Sequence, residues 1–565
     1  MAACQNYETE QFENLKQMCR SNGQKYGDKT FCLQKRGSAF VSIGFSQYQN
    51  DVDALGTALL ARGFGGKAII VMGENCYEWI TSYLAVICGV GVIVPVDKDL
   101  SPAELSNIIS RSDAAAVICS SSCREKLSSL DPSPTVLLFE ELRDVIREGV
   151  ALIAAGDRSY LDAVIDPNAM SALLFTSGTT EGIKGVMLSH HNLCFTLSEM
   201  CRMVYIGEKD VFLSTLPLHH AYESTCGFLC PLYRGATVAF GGGLRHITRD
   251  MQSVRPTVML CVPLLIETMY QKIWTNIRKQ EMEKSVSRAI SVTNALPNDK
   301  LRITVKKGIF AEIHKSFGGK LRLLISGGAS VDPCVISGMR DLGFLTIQGY
   351  GLTECAPIAA LNRDTYYNDS SAGLATPNTL LDICDTKDDG TGEIRFKGEN
   401  VMLGYYGAPE LTAEVLRDGW LYTGDLGYID ENGFLFITGR KKNVIVTMGG
   451  KNIFPEELET LLCNTPYVKE AVVVGYVNQK RKDYDVVAII YPDHERLAET
   501  YGTDLSDEKI DLEMSRAVSE INGAVQPYKK IQRFLVSSEP FPKNTSHKIK
   551  RVGIAEAFAE QYYRK

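Results

Sequence analysis

The sequence predicts an α/β fold: a large N-terminal domain of layered sheets with a small β-barrel-like subdomain, then a small α+β C-terminal domain. Three observations carry this expectation. From about residue 68 to 350, short β-rich apolar runs alternate with amphipathic helical patterns, the signature of parallel sheets covered by helices. After residue 380 the texture changes to short strands with Gly-rich turns. Beyond Lys442, helices and strands mix without strict alternation.

In chain order, AIIVMG, AAVICS, TVLLF, SALLFT, VFLSTLP, TVMLCV, LRLLISGG and LTIQGYG read as buried strands. Residues 190–205 and 264–280 are amphipathic segments between them, and 266–317 is a long, charge-rich helical stretch inserted before LRLLISGG. DDGTGEIRFKGEN and YIDENGFLFITGR suit a small antiparallel sheet or barrel. In the last unit NVIVT, AVVVGYV, DVVAIIY and RFLVS are strands, with helices near 455–463 and 508–522. The expected division is 1–439, a junction at 440–442, and 443–565.

Bulk properties narrow the function classes. At 565 residues the chain exceeds one ordinary core, and 45% hydrophobic with 22% charged residues is a globular composition. A net charge of −7 argues against a nucleic-acid partner. Residues 526–565 hold nine Lys/Arg against three Glu, a local +6 that leaves −13 for the remainder. Such a basic end suits a small polyanion or a solvated face. The sixteen cysteines form no CxxC pair, so they read as small buried hydrophobes in a reducing compartment. Residues 80–96 are the most membrane-like stretch, but two glycines, Thr81, Ser82 and Pro95 favour a buried helix followed by a strand. No signal-peptide pattern is seen at the start. The expectation is a soluble, cytoplasmic protein with at most peripheral membrane contact, either monomer or homodimer.

Residues 171–188, SALLFTSGTTEGIKGVML, carry the first chemical signal. Thr176, Ser177, Thr179 and Thr180 supply hydroxyl donors, Gly178, Gly182 and Gly185 free the backbone, and Lys184 adds a mobile charge. It is not a Walker loop, because Ile183 stands where the second glycine should and Gly185 follows the lysine. Alone, it also reads as a polar turn. In IQGYGLTECAP, Gly349 and Gly351 flank Tyr350, a flat face for a base; Thr353 is a donor and Glu354 a hard oxygen ligand suited to Mg²⁺. In DGWLYTGDLGYID, Asp425 can accept both hydroxyls of a ribose, or cap an Asx-turn. Arg440, Lys441 and Lys442 mark the junction, and EPFPKNTSHKIKR exposes Lys543, Lys548, Lys550 and Arg551 behind two prolines. Adjacent His219 and His220 in LPLHHAY satisfy no zinc motif.

In this order and spacing the stretches resemble the adenylate-forming superfamily of acyl- and aryl-CoA synthetases, luciferases and peptide-synthetase adenylation domains, along essentially the whole chain. TSGTTEGIKG resembles its phosphate loop, YGLTE its nucleotide-and-magnesium turn, YTGD its ribose element, GRKKN its hinge and PKNTSHKIKR its catalytic-lysine loop. The 266–317 insertion and the GEIRFKGENVMLGYYGAPELTAEVLRDGWLYTGD run look most like long- and medium-chain fatty acyl-CoA synthetases. The resemblance implies Mg·ATP-dependent conversion of a fatty acid to an acyl-adenylate, then transfer to coenzyme A. It implies that Thr176, Ser177, Gly178, Thr179, Thr180 and Lys184 hold the leaving phosphates. Thr353 and Glu354 would hold the α-phosphate and Mg²⁺; Asp425 and Arg440 the ribose. Gly327, Gly328, Ala329, Gly349, Tyr350, Gly351 and Ile437 would complete the nucleotide site. His220 would border the acyl pocket, Lys442 would be the pivot of a mobile small domain, and Lys548 the catalytic lysine. An acyl-AMP ligase loading an acyl-carrier protein, or a non-catalytic nucleotide- or lipid-binding relative, are the competing readings.

The sequence departs from the family pattern at Glu181, Ile183 and His547. At ~4 Å and an effective dielectric near 20, a carboxylate facing phosphate would cost roughly 4 kcal/mol per charge pair, so Glu181 is expected to point outward. Glu181→Gly should therefore lower the ATP KM only slightly in steady-state assays. A large drop would show that the carboxylate faces the phosphates.

Overall fold

Apolar runs flanked by helical patterns on both sides can satisfy their backbone groups only in sheets covered on both faces. The computed structural model has that architecture; it describes residues 6–130, 133–176, 183–387, 390–446, 451–478, 483–502, 505–543, 549–551, 553–555 and 557–558. A seven-stranded sheet runs Gly404–Tyr405, Lys184–Ser189, Met170–Thr176, Val92–Val96, Ala68–Met72, Ala114–Cys119, Thr135–Leu138. Its pairings are parallel from Met170–Thr176 through Thr135–Leu138 and antiparallel at the other edge.

A nine-stranded sheet holds Val211–Ser214, Thr237–Phe240, Val258–Cys261, Leu323–Ser326 and Leu345–Tyr350 as its parallel centre. One apolar core joins the two sheets: Ile69, Val71 and Ile93 from one, Phe212, Leu260 and Ile347 from the other, with Leu193 and Leu197 of helix His190–Met203 between. All eight runs read as strands in the sequence form strands. Residues 80–96 divide into helix Tyr77–Ala85, a π-helical turn and strand Val92–Val96, as expected. No helix among the described residues is long and apolar enough to cross a membrane.

The insertion before Leu323–Ser326 is four helices, Pro263–Lys279, Glu283–Asn294, Asp299–Ile309 and Ala311–Ser316. They cover the far face of the nine-stranded sheet through Ile266, Ile273, Val286 and Phe310. After residue 380, Leu380–Cys384, Gly392–Lys397, Trp420–Ile429, Leu416–Arg417 and Leu435–Arg440 pair antiparallel. Of the two forms expected there, the ladders among the described residues give an open sheet. Trp420–Ile429 pairs with Gly392–Lys397, Leu416–Arg417 and Leu435–Arg440, and no ladder among the described residues returns to Leu380–Cys384.

The last unit has its own core. Strands Val468–Asn478 and Asp483–Pro492 pair antiparallel, and Arg533–Val536 joins the latter in parallel. Helices Pro455–Cys463 and Asp507–Ala524 pack on them through Leu458, Leu462, Met514 and Ile521.

Candidate active site

Parallel neighbours bring their following loops to one edge, where open α/β sheets place ligands. Leu323–Ser326 and Leu345–Tyr350 are such neighbours, with Ile325 opposite Ile347 and Ser326 opposite Gln348. Gly327, Gly328 and Ala329 leave the first strand; Gly349 and Tyr350 end the second, and Gly351 follows. Gly327 is buried and donates its N–H to the Cys261 carbonyl at 3.1 Å, while Gly328 and Ala329 are exposed. A Cβ on Gly351 would lie 1.6 Å from the Pro357 carbonyl oxygen, so only glycine lets the chain turn here. That turn sets Thr353 and Glu354 in the short 3₁₀ segment Thr353–Cys355.

Asp425 lies in Trp420–Ile429, directly across the ladder from Arg440. Asp425 is 4% exposed. Oδ2 accepts the Tyr350 hydroxyl at 2.7 Å, and Oδ1 accepts Arg440 Nε–H at 2.9 Å. Burial, then the Asp425 charge, holds the Tyr350 phenol well above its ordinary range, so it remains a donor. Asp425 likewise favours the charged form of Arg440. Ile437, half-buried, lies on the Arg440 strand opposite Gly427.

Glu354 Oε1 accepts the Tyr405 hydroxyl at 2.8 Å, and Lys184 Nζ stands 5.1 Å from the Tyr405 ring centroid. Burial, then Glu354, pushes the Tyr405 hydroxyl up. Thr176 pairs with Lys184 on the Met170–Thr176 ladder. Lys184, Tyr405 and Glu354 are thus neighbours, and Arg440 feels the charges of both Asp425 and Glu354. Ser177, Gly178, Thr179, Thr180, Glu181, Gly182, His547 and Lys548 lie outside the described residues. The oxygen donor of Glu354 fits Mg²⁺, which uses one or two carboxylates plus substrate phosphates.

At the junction, Lys441 Nζ binds Glu393 Oε2 at 2.7 Å, and Glu393 Oε1 accepts the Gly424 N–H at 3.2 Å. Asn443 Nδ2 donates to Glu456 at 2.6 Å. Exposed Lys442 therefore sits between two anchored neighbours.

A small apolar cavity of about 30 Å³ lies between helix His190–Met203 and the nine-stranded sheet, lined by Met200, Val204, Phe212, Tyr222, Cys226 and Leu260 among others. Tyr222 donates its hydroxyl to the Ile325 carbonyl at 2.9 Å, and a Cβ on Gly327 would lie 2.9 Å from its ring. Its ring is the wall between the cavity and the Gly327 loop. His220, the expected pocket residue, is half-buried against His219, 4.1 Å between ring centroids, and does not line this cavity. Burial depresses the His219 imidazole, leaving it neutral. Tyr222, Tyr405 and Glu393 escaped sequence reasoning. Tyr222 sits two residues from His220 in a motif already noted, whereas Tyr405 meets Glu354 through the pairing of Gly404–Tyr405 with residues 186 and 187 and the Met402 N–H donated to the Glu354 carbonyl at 2.9 Å.

The AMP-binding enzyme profile matches residues 19–406, and the AMP-binding enzyme C-terminal domain profile matches residues 442–563. The chain is 28% identical over 596 residues to long-chain-fatty-acid–CoA ligase 5 of Rattus norvegicus, covering 95% of this chain and 86% of that protein. It is 26% identical over 561 residues to a long-chain-fatty-acid–CoA ligase of Mycobacterium tuberculosis, covering 92% and 91%. In fold it is similar to ATP-bound MatB from Rhodopseudomonas palustris, with a TM-score of 0.75, 23% identity, and 97% and 100% of the two chains covered. A fatty acyl CoA synthetase of Mycobacterium tuberculosis gives a TM-score of 0.67 at 21% identity, covering 98% and 99%.

Proposed function

The chain belongs to the AMP-binding enzyme family, and from that premise we propose that it is a fatty acid–CoA ligase. A fatty acid carboxylate oxygen attacks the α-phosphorus of ATP; the bond to the β-phosphate oxygen breaks and pyrophosphate leaves. The coenzyme A thiol then loses its proton and its sulfur attacks the acyl carbon, and AMP departs with the bonding electrons. No side-chain nucleophile is needed, so this chain's residues position reactants and stabilise charge.

Asp425, held by Tyr350 and Arg440, is a fixed carboxylate acceptor for the ribose hydroxyls. Gly327, Gly328, Ala329 and Tyr350 bracket the base. Lys184 and the loop from Thr176 to Thr180 neutralise the leaving phosphates. Glu354 would hold Mg²⁺, which supplies charge neutralisation at the phosphates when bound. Residues 1–439 and 443–565 are read as two bodies pivoting at 440–442.

The observation that carries the substrate assignment is the match of 95% of this chain to a long-chain-fatty-acid–CoA ligase; the apolar cavity beside the Tyr222 ring has a volume of only about 30 Å³, so a tail entering it must push its lining apart. A carboxylate at the nucleotide site can send an aliphatic tail into it, each buried methylene gaining about 0.8 kcal/mol until the space ends. Specificity, as kcat/KM over a chain-length series, should climb with each carbon and level off at medium-to-long fatty acids. Best activity on acetate or on an aromatic acid would defeat the assignment.

A further inference from the structure

Beside the apolar cavity lies a buried carboxyl that the proposed chemistry does not use. Glu223 is 1% exposed and opens the π-helical turn Glu223–Leu229. Oε1 accepts the Ser214 hydroxyl at 2.5 Å, and Oε2 finds no hydrogen-bond partner among the described residues. The bond continues outward. Asn75 Nδ2 donates to Ser214 Oγ at 2.9 Å and to the Leu216 carbonyl at 2.6 Å, while Asn75 Oδ1 accepts the Leu218 N–H at 3.1 Å. One polar chain thus ties the loop entering LPLHHAY to the turn that leaves it.

The turn is built around that carboxyl. A Cβ on Gly227 would come within 2.7–2.8 Å of the Glu223 carboxyl atoms, so glycine leaves the space it occupies. Tyr222 and Cys226, on either side of Glu223 along the same turn, line the cavity. π-Helical turns are uncommon and need local support.

We propose that Glu223 is a positioning residue for the acyl tail, fixing through Ser214 and Asn75 the turn that presents Tyr222 and Cys226 to the cavity. The inference rests on the fatty-acid reading of that cavity. The groups facing Glu223 are Ser214 on its strand, Tyr222 and Cys226 on its own turn, and Cys261 on the neighbouring strand. No cation is among them, and burial pushes the carboxyl from 4.5 up to about 8. The folded chain keeps this proton where the unfolded chain releases it. The neutral carboxyl's stabilising contribution therefore declines as pH rises from 4.5 and is lost as pH passes about 8. Near pH 8 the native turn itself acquires a buried, unpaired charge.

The test compares wild type, Glu223→Gln and Glu223→Leu in ATP–pyrophosphate exchange between pH 6.5 and 9.5, roughly bracketing that titration. The substrate is whichever acid the wild type activates best from an aliphatic and aromatic panel. For wild type, the KM for the acid should rise above pH 8 while the KM for ATP stays level. Glu223→Gln, neutral and still able to accept from Ser214, should keep the acid KM within about twofold at pH 7 and lack the alkaline rise. Glu223→Leu should raise the acid KM by at least about tenfold at pH 7 with ATP KM unchanged, as expected for lost substrate binding. Any of three results would overturn the proposal: an unchanged acid KM in folded Glu223→Leu, a parallel rise in both KM values, or an alkaline rise retained in Glu223→Gln. If Glu223→Leu does not fold, the Glu223→Gln profile decides. A wild type preferring an aromatic acid contradicts the fatty-acid reading and leaves the Glu223 comparison decisive; one that activates no acid overturns both.

Discussion

Asp425→Ala should weaken ATP binding by about 1.5–3 kcal/mol, the scale of hydrogen bonds to a charged group. The loss has two sources. The ribose hydroxyls lose their carboxylate acceptor, and the Tyr350 hydroxyl and Arg440 guanidinium lose the buried partner they share. Asp425→Asn separates them: the amide oxygen still accepts from Tyr350, but the charge that pairs with Arg440 is gone. Calorimetric ATP titration of both variants, with thermal unfolding as a check on integrity, should place the asparagine variant between wild type and alanine. An unchanged affinity in Asp425→Ala would remove this residue from the ribose site.

Lys548→Ala should cut pyrophosphate exchange at least ~100-fold, about 2.7 kcal/mol of transition-state stabilisation. The resemblance gives this lysine the task of neutralising charge that develops between carboxylate and α-phosphate. Thioester formation from supplied acyl-adenylate should remain nearly intact. Lys442→Pro should do the reverse. Its neighbours are held by the Lys441–Glu393 and Asn443–Glu456 contacts; if the small domain pivots at Lys442 as the resemblance implies, proline, which fixes φ, would restrain that movement. Each variant is assayed in each half-reaction separately. Equal slowing of both halves by Lys548→Ala would assign that lysine a structural role.

The strands were legible because parallel strands buried on both faces must be continuous apolar runs, and Ala68–Met72, Ala114–Cys119 and Leu323–Ser326 are just that. Local turn chemistry likewise announced the Gly349–Gly351 turn and Asp425. Long-range partners were not legible. Tyr405 reaches Glu354 from 51 positions away and Tyr350 reaches Asp425 from 75, from elements that no ladder among the described residues joins directly and no local pattern brings together. The substitution of Tyr222 for His220 as the cavity wall has another cause. Sequence places both on LPLHHAY, but the entry into the π-helical turn decides which side chain faces the cavity. The choice between sheet and barrel after residue 380 turned on edge pairing, which strand patterns do not encode.

On this reading the chain joins a fatty acid to coenzyme A through an adenylate. ATP–pyrophosphate exchange across a panel of acids, followed by product analysis with coenzyme A, tests it most directly. Exchange should depend on a medium-to-long fatty acid, and acyl-CoA and AMP should then form in equal amounts. Absence of acid-dependent exchange, or exchange without thioester when coenzyme A is supplied, would contradict it.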